Sequence, residues 1–352
     1  MTLKQKTKNA LMTLLLTAYA VLLVVYSVEI ANDVRSAVYR CINVIIPSLF
    51  AFMAVSQLIM KSGAYIYISK PFKPIAWLMK LPYELTFVFL MSNLAGYPIG
   101  ASMLSELADS GSIDKKSASR LLCSCFNGGP AFFCSVVGAA VFGSVRTGII
   151  VYLSIFAANF LLAAVLNRVF PIKYSGKEKK FCFRSEMLFD SVAEAGESLF
   201  KICGMILIFQ TFLTLLRNML LDNFFASQNI KALTFSFAEI TNLSELQGQP
   251  FRFLPIVTAA GAFGGICIIM QIKSVVRNRF FWLPFICARI FCAVLAALIC
   301  KNLNTYFGIK SISVAIEPDF IVNLNNFLPS LCLIMMIFLI VLKKRLAFSR
   351  KV

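Results

Sequence analysis

No histidine occurs anywhere in the 352 residues. That removes the commonest metal ligand and the side chain best suited to proton transfer at neutral pH. No C-x-x-C pair occurs either, and the 11 cysteines come no closer to one than Cys123-Ser124-Cys125. Without histidine or paired cysteines there is no ligand set for zinc or haem, so neither a metal nor a cofactor is expected. A phosphate-binding G-x-x-x-x-G-K-[ST] segment is also missing, which argues against ATP or GTP hydrolysis. No catalytic residue is assigned, and the chain is not read as an enzyme. Charge is scarce: only 14% of residues carry it, where a soluble domain carries roughly a quarter. Acidic residues are scarcest, 16 against 34 Lys and Arg, for a net charge of +18.

What fills the chain instead is apolar sequence, 59% of all residues. Residues 9–28, 41–60, 85–105, 121–145, 147–167, 253–272 and 320–342 are uncharged runs. Each is long enough to cross a bilayer, which takes about 20 residues. The run 202–216 is shorter, and 280–300 is interrupted only by Arg289. The fold class expected is an all-α polytopic membrane protein with about eight transmembrane helices and two re-entrant hairpins. Most cysteines lie inside these runs and act as small apolar residues. Residues 9–28 exceed a signal-peptide core, and Ser27-Val28-Glu29-Ile30 is a poor cleavage site, so they are expected to form a first transmembrane helix. The basic residues sit in short clusters beside apolar runs. That pattern sets topology and attracts anionic lipid, and it does not suggest nucleic acid.

Lys4, Lys6 and Lys8 predict a cytoplasmic N-terminus, and Lys343, Lys344, Arg345, Arg350 and Lys351 a cytoplasmic C-terminus. The segment PIKYSGKEKKFCFR, 171–184, predicts a basic cytoplasmic linker between two halves. The organisation expected is an N-terminal transmembrane helix (1–32), a first repeat (33–170), the linker (171–184), a second repeat (185–301), then an extracytoplasmic loop, last helix and basic tail (302–352). In the first repeat 41–60, broken at Pro47, crosses inward, 85–105 crosses outward, 111–144 forms a hairpin and 147–167 returns. In the second, 202–216 crosses outward, 232–246 crosses inward, 253–272 forms a hairpin and 280–300 crosses outward. This threading leaves Lys115, Lys116 and Arg120 outside, against the charge rule.

The apolar runs are broken where water is absent. The breaks are Gly96-Tyr97-Pro98 with Gly100, Asn127-Gly128-Gly129-Pro130, Glu239-Ile240-Thr241-Asn242, and Gly264-Gly265. Their order matches between halves that start on opposite sides, the signature of an inverted repeat. Non-helical backbone at membrane depth is tolerated where it is buried in protein or lines a cavity. Helix N-termini exposed at such breaks attract anions. A substrate site built from them would draw on Ser48, Gln57, Asn93, Tyr97, Asn127, Gln210, Thr241, Asn242 and Gln271 for hydrogen bonds. Gly96, Pro98, Gly100, Gly128, Gly129, Gly264 and Gly265 would shape its backbone. Arg289 would neutralise an anion or pair with Glu239, and Glu239 could carry a proton.

NLAGYPIGASMLSELADSGSIDKKSASRLLCSCFNGGPAFF resembles the central motif of sporulation integral membrane proteins of the YlbJ type. VIIPSLFAFMAVSQLIMKSG resembles an earlier segment of that family, with Ala51 where proline is usual. EITN at 239–242 and GAFGGICIIMQ at 261–271 resemble its second-half motifs. Asn127-Gly128-Gly129-Pro130 departs from the pattern, which more often carries two Asn. The family belongs to the nucleoside-recognition or gate domain group, similar in architecture to concentrative nucleoside transporters. The resemblance implies a role in endospore formation. It implies transport of dipicolinic acid, a small planar dianion, from mother cell toward forespore across the outer forespore membrane. The alternatives are a nucleoside-type transporter and a non-transporting scaffold for spore assembly. The partners expected are a small anionic substrate and the bilayer, with a homo-oligomer or other sporulation membrane proteins as further possibilities.

Overall fold

The computed structural model describes residues 3–175, 181–221, 227–247, 251–276 and 280–307. The last apolar run, the basic tail and the centre of the linker lie outside them. No β-strand occurs among the described residues. Five helices are long and apolar enough to cross a membrane: Gln5–Val25, Val145–Val169, Ser185–Met219, Phe251–Val276 and Trp282–Tyr306. A further helix, Leu49–Ser62, passes the same test jointly with Ala64–Met79 across a 96° bend. Many outward side chains are large and apolar, Leu14, Val24, Phe200 and Leu283 among them, as a lipid-facing surface requires.

The helices are α1 (Leu3–Val25), α2 (Ser27–Arg40), α3 (Ile46–Ser62), α4 (Ala64–Ser69), α5 (Lys73–Met79), α6 (Thr86–Leu94), α7 (Tyr97–Asp109), α8 (Lys115–Leu122), α9 (Val145–Val169), α10 (Ser185–Leu216), α11 (Gln228–Ala238), α12 (Leu254–Phe263), α13 (Ile266–Val276) and α14 (Trp282–Phe307). A π-helical segment, Phe132–Val141, precedes α9, and a 3₁₀ segment, Ile240–Glu245, follows α11. Pro47 does not break its run. It follows closely on a π-helical turn, Cys41–Ile45, that joins α2 to α3, the irregularity at which a continuous helix takes up a missing N–H.

One end of the bundle is defined by hydrogen bonds. Ser175 N donates to Ser112 O (2.9 Å) and Cys182 N to Ser62 O (3.0 Å). Ser69 Oγ donates to Glu84 O (3.2 Å) and accepts from Phe87 N (3.1 Å). Asn167 Nδ2 donates to Met79 O (3.2 Å). The phenol oxygens of Tyr65 and Tyr174 lie 2.6 Å apart. The end of α3, the start of α6, the end of α7, the end of α9 and the linker therefore meet at one level, the linker end.

This arrangement corrects the threading read from hydropathy. Both ends of α6–α7 lie at the linker end, so 85–109 is a hairpin and not an outward crossing. The chain turns at Gly96, whose φ of 111° is open to glycine and strained for other residues. Tyr97 and Pro98 then start α7. Residues 111–144, read as a hairpin, form a broken crossing: α8 starts at the linker end, and Phe132–Val141 leads to the start of α9 at the opposite end. Lys115, Lys116 and Arg120 thereby fall at the same end as the linker.

The second half is corrected in the same way. Residues 232–246 do not cross. Asn229 Nδ2 donates to Gln247 O (3.1 Å) and Gln247 N to Asn229 Oδ1 (2.9 Å), so α11 and Ile240–Glu245 close into a hairpin at the opposite end. Residues 253–272 are part of one span, Phe251–Val276. Gly264 (φ 83°) and Gly265 (φ 88°) interrupt its hydrogen bonding without reversing it. At the centre, α3, α7, α10 and α13 pack together, and α9 and α12 pack against α14.

Candidate functional site

The breaks of the two halves meet around Arg289, which α14 places fully inside the protein. Its Nε donates to Ala262 O (3.1 Å), and its Nη2 donates to the same carbonyl. Nη1 donates to Cys123 O (2.9 Å) and to Asn159 Oδ1 (2.8 Å). The guanidinium also lies 4.7 Å over the Phe126 ring. Cys123 ends α8 and Ala262 lies in the last turn of α12. Each helix C-terminus carries about half a negative charge, so two of them roughly balance one guanidinium. This is how a buried arginine persists here without a carboxylate. The pairing with Glu239 weighed from sequence does not form.

An amide chain continues from Asn159. Its Nδ2 donates to Asn93 Oδ1 (2.8 Å) and to Phe126 O (2.9 Å). Asn93 Nδ2 donates to Phe89 O (2.8 Å) in its own helix and to Ser124 O (3.4 Å) across the break. Tyr97 reaches from the first half to the second, its hydroxyl donating to Gly261 O (2.8 Å). Its ring packs on Phe126 at 4.7 Å, tilted by 54°, and Phe126 meets Phe285 edge-on at 5.3 Å. The glycines allow this approach. A Cβ on Gly100 would lie 2.5 Å from both Cys125 O and Ser92 Cβ, and one on Gly129 would lie 2.9 Å from Leu94 O. A Cβ on Gly128 would meet the Tyr97 hydroxyl at 2.8 Å, and one on Gly264 would meet the Phe126 ring at 2.6 Å.

Asn127 stands apart in this junction. It is fully buried, and neither its Oδ1 nor its Nδ2 has a hydrogen-bond partner. A buried amide left open on both sides is costly. Glu239 is also buried, with Oε2 unpartnered and Oε1 accepting from Thr241 N at 3.4 Å. Gln271, buried on α13, donates to Cys267 Sγ (3.3 Å).

Two clefts flank the junction, both between the halves. The linker-end cleft, about 230 Å³, is lined by Gln57, Ser102, Ser105, Glu106, Asp109, Glu194, Glu197, Ser198, Lys201 and Val275. Gln57 Nε2 donates to Ser102 Oγ (2.9 Å), and its Oε1 is unpartnered. The opposite cleft, about 150 Å³, is lined by Asp33, Ser36, Arg40, Gln210, Arg217, Thr241, Asn242, Ser244 and Glu245. Arg217 donates to Asn242 Oδ1 and to Glu245 Oε1 (2.8 Å), and Thr214 Oγ1 to Asp33 Oδ2 (2.6 Å). Helix α10 borders both clefts, at Ser198 and at Gln210, about 18 Å apart along its axis.

The residues singled out from sequence thus fall into three groups. Asn93, Gly96, Tyr97, Pro98, Gly100, Asn127, Gly128, Gly129, Gly264, Gly265 and Arg289 gather at or beside the junction. Gln57 lies in one cleft, and Gln210, Thr241 and Asn242 in the other, next to Glu239; Gln271 lines neither cleft and is held within α13 by Cys267. The side chain of Ser48 lies outside the described ones. Sequence reasoning missed Asn159, the hub between Asn93 and Arg289, as well as Phe126, Arg40 and Arg217. No family model, no curated protein and no solved structure matches the chain.

Proposed function

We propose that the chain is a secondary transporter or facilitator of a small anionic solute, working by alternating access. The observation that carries this reading is the pair of polar clefts at opposite ends of one interface, divided by a junction built from helix breaks. Each half contributes, in order, a long helix bearing a glutamine, a hairpin, a broken crossing and a full helix. The first hairpin opens at the linker end and the second at the opposite end. That supports an inverted repeat with re-entrant hairpins. Gln57 and Gln210, matched by position in the two halves, line opposite clefts. The basic linker end, now including Lys115, Lys116 and Arg120, supports a cytoplasmic placement of that end and of the N-terminus.

Dipicolinate is the solute that the sequence resemblance implies, with the outer forespore membrane as the site of action. In the opposite cleft Arg40, beside Ser36, Thr241 and Ser244, is the cation that suits a carboxylate; Arg217 is held by Glu245 and Asn242, and Asp33 by Thr214. A second reading, a neutral nucleoside-type solute, has its own support. The linker-end cleft carries four carboxylates against Lys201, and Arg289 is already engaged by carbonyls.

Sided labelling tests the mechanism. Ser105→Cys and Ser244→Cys are treated with an impermeant thiol reagent from each face of a vesicle. The expected result is labelling of each from its own face only, with dipicolinate, or uridine for the second reading, shifting the two rates in opposite directions. Rates indifferent to both solutes, together with a silent Asn93→Ala, would mean a scaffold whose breaks serve packing.

A further inference from the structure

We propose that α4–α5 is a docking surface for the anionic headgroups of the bilayer that this chain spans. Gly63, at φ 76°, turns the chain at the end of α3, and Ala64–Met79 leaves Leu49–Ser62 at 96°. A helix perpendicular to a spanning one lies in the plane of the membrane surface. Its inner face is fixed to the protein: Tyr65, Ser69, Ala76 and Met79, at helical spacing, are buried. Its last carbonyls are also held, Met79 O by Asn167 and Leu78 O by Arg168 Nη2 (3.0 Å).

The outer face carries Lys70, Lys73, Trp77 and Lys80 at steps of three, four and three, all exposed. Each ammonium sits over an aromatic ring: Lys70 over Tyr67 (4.7 Å), Lys73 over Tyr83 (5.1 Å) and Lys80 over Trp77 (5.5 Å). The rings hold three flexible side chains in one row and leave N–H donors facing outward. No Asp or Glu occurs between Lys61 and Tyr83; the first acidic residue is Glu84, beside Tyr83 and just before α6, so the row carries three cations against one carboxylate. Trp77, 71% exposed, has the amphipathic ring that favours the headgroup level. A row of lysines with an exposed tryptophan, lying flat where a spanning helix ends, fits phospholipid phosphates. The hairpin α6–α7 hangs from the same segment through Ser69, so lipid held here also holds the hairpin's outer end.

Trp77 and Trp282 are the chain's two tryptophans. With Trp282→Phe, Trp77 becomes the sole emitter. The full-length protein is reconstituted into vesicles of mixed phosphatidylglycerol and phosphatidylcholine, with bromine carried on one lipid or the other. Brominated phosphatidylglycerol is expected to quench Trp77 more than its share of the bilayer predicts. Lys70→Gln, Lys73→Gln and Lys80→Gln are expected to remove that preference, on the order of fivefold per lysine. Equal quenching by both lipids would overturn the proposal. So would quenching by aqueous acrylamide alone, which would mean that the face meets water or another protein. Should Trp282→Phe fail to fold, phosphatidylglycerol retained by purified wild type is compared with that retained by the triple lysine variant. Equal retention would equally overturn it.

Discussion

Replacing Arg289 by Gln removes the charge on which both helix breaks converge. Ala262 O and Cys123 O lose their donor, while Asn159 Oδ1 keeps the Cys292 thiol (3.2 Å). A buried acceptor left unpaired costs ~1–3 kcal/mol, so two cost roughly 2–6 kcal/mol. Relief of the guanidinium's own desolvation, several kcal/mol, offsets part of this. The net loss expected is about 3 kcal/mol, against a total stability on the order of 5–15 kcal/mol. At about 2 °C per kcal/mol for a large chain, Tm falls by roughly 6 °C. Arg289→Lys keeps the charge but loses the planar fork, and falls between the two. Thermal unfolding in detergent can be followed with a thiol-reactive dye, because Cys123, Cys125, Cys134, Cys267, Cys292 and Cys300 are buried when folded. Glu239→Gln is expected to add independently to Arg289→Gln, within about 0.5 kcal/mol, since the two groups do not pair. A shift below about 2 °C would refute the capping account. So would rescue of Arg289→Gln by Glu239→Gln, because rescue requires the ion pair that the geometry lacks.

Tyr97→Phe keeps the ring packed on Phe126 but removes the hydroxyl that donates to Gly261 O. It is expected to cost about 1–2 kcal/mol in the same unfolding assay. Gly100→Ala drives a Cβ against Cys125 O and Ser92 Cβ and is expected to abolish folded protein in size-exclusion analysis. Gly111→Ala, with open space around it and φ at +70°, is expected to cost only about 1 kcal/mol. Asp114 caps α8 by accepting from Lys116 N and Ser117 N, and Asp114→Ala is expected to lose about 1 kcal/mol. Hydrogen bonds from Ser117 and these amides hold its carboxyl below the ordinary 3.8. Its contribution is therefore complete above that pH and is lost as pH falls further, so the Tm gap between wild type and Asp114→Ala narrows in acid.

Hydropathy located residues 9–28, 147–167, 202–216, 253–272 and 280–300, which fall on helices long and apolar enough to cross a membrane, and all four breaks, because both depend on local composition. It could not tell a hairpin from a broken crossing, since each is an apolar run of similar length with glycines inside. The difference lies in backbone geometry. Gly96 reverses the chain, whereas Gly264 and Gly265 interrupt a span that continues. One clue was present: placing Lys115, Lys116 and Arg120 beside the linker required 85–109 to return. Arg289 was legible as a costly buried charge, but its partners were not, because backbone carbonyls leave no mark in a sequence. A search for a counter-charge therefore turned to Glu239. Asn159 had a faint signal as a polar residue near the centre of the uncharged run 147–167. The clefts bring together α2, α3, α7, α10 and α13 with the segment Ile240–Glu245. Periodicity within one helix carries no trace of such an assembly.

Dipicolinate flux into proteoliposomes tests the transport account most directly, with wild type compared against Asn93→Ala. The account predicts saturable flux in the wild type, lost when the amide link between Asn93 and Asn159 is cut. Flux no greater than that of empty liposomes, for dipicolinate and for uridine alike and from protein shown to be folded, would contradict it.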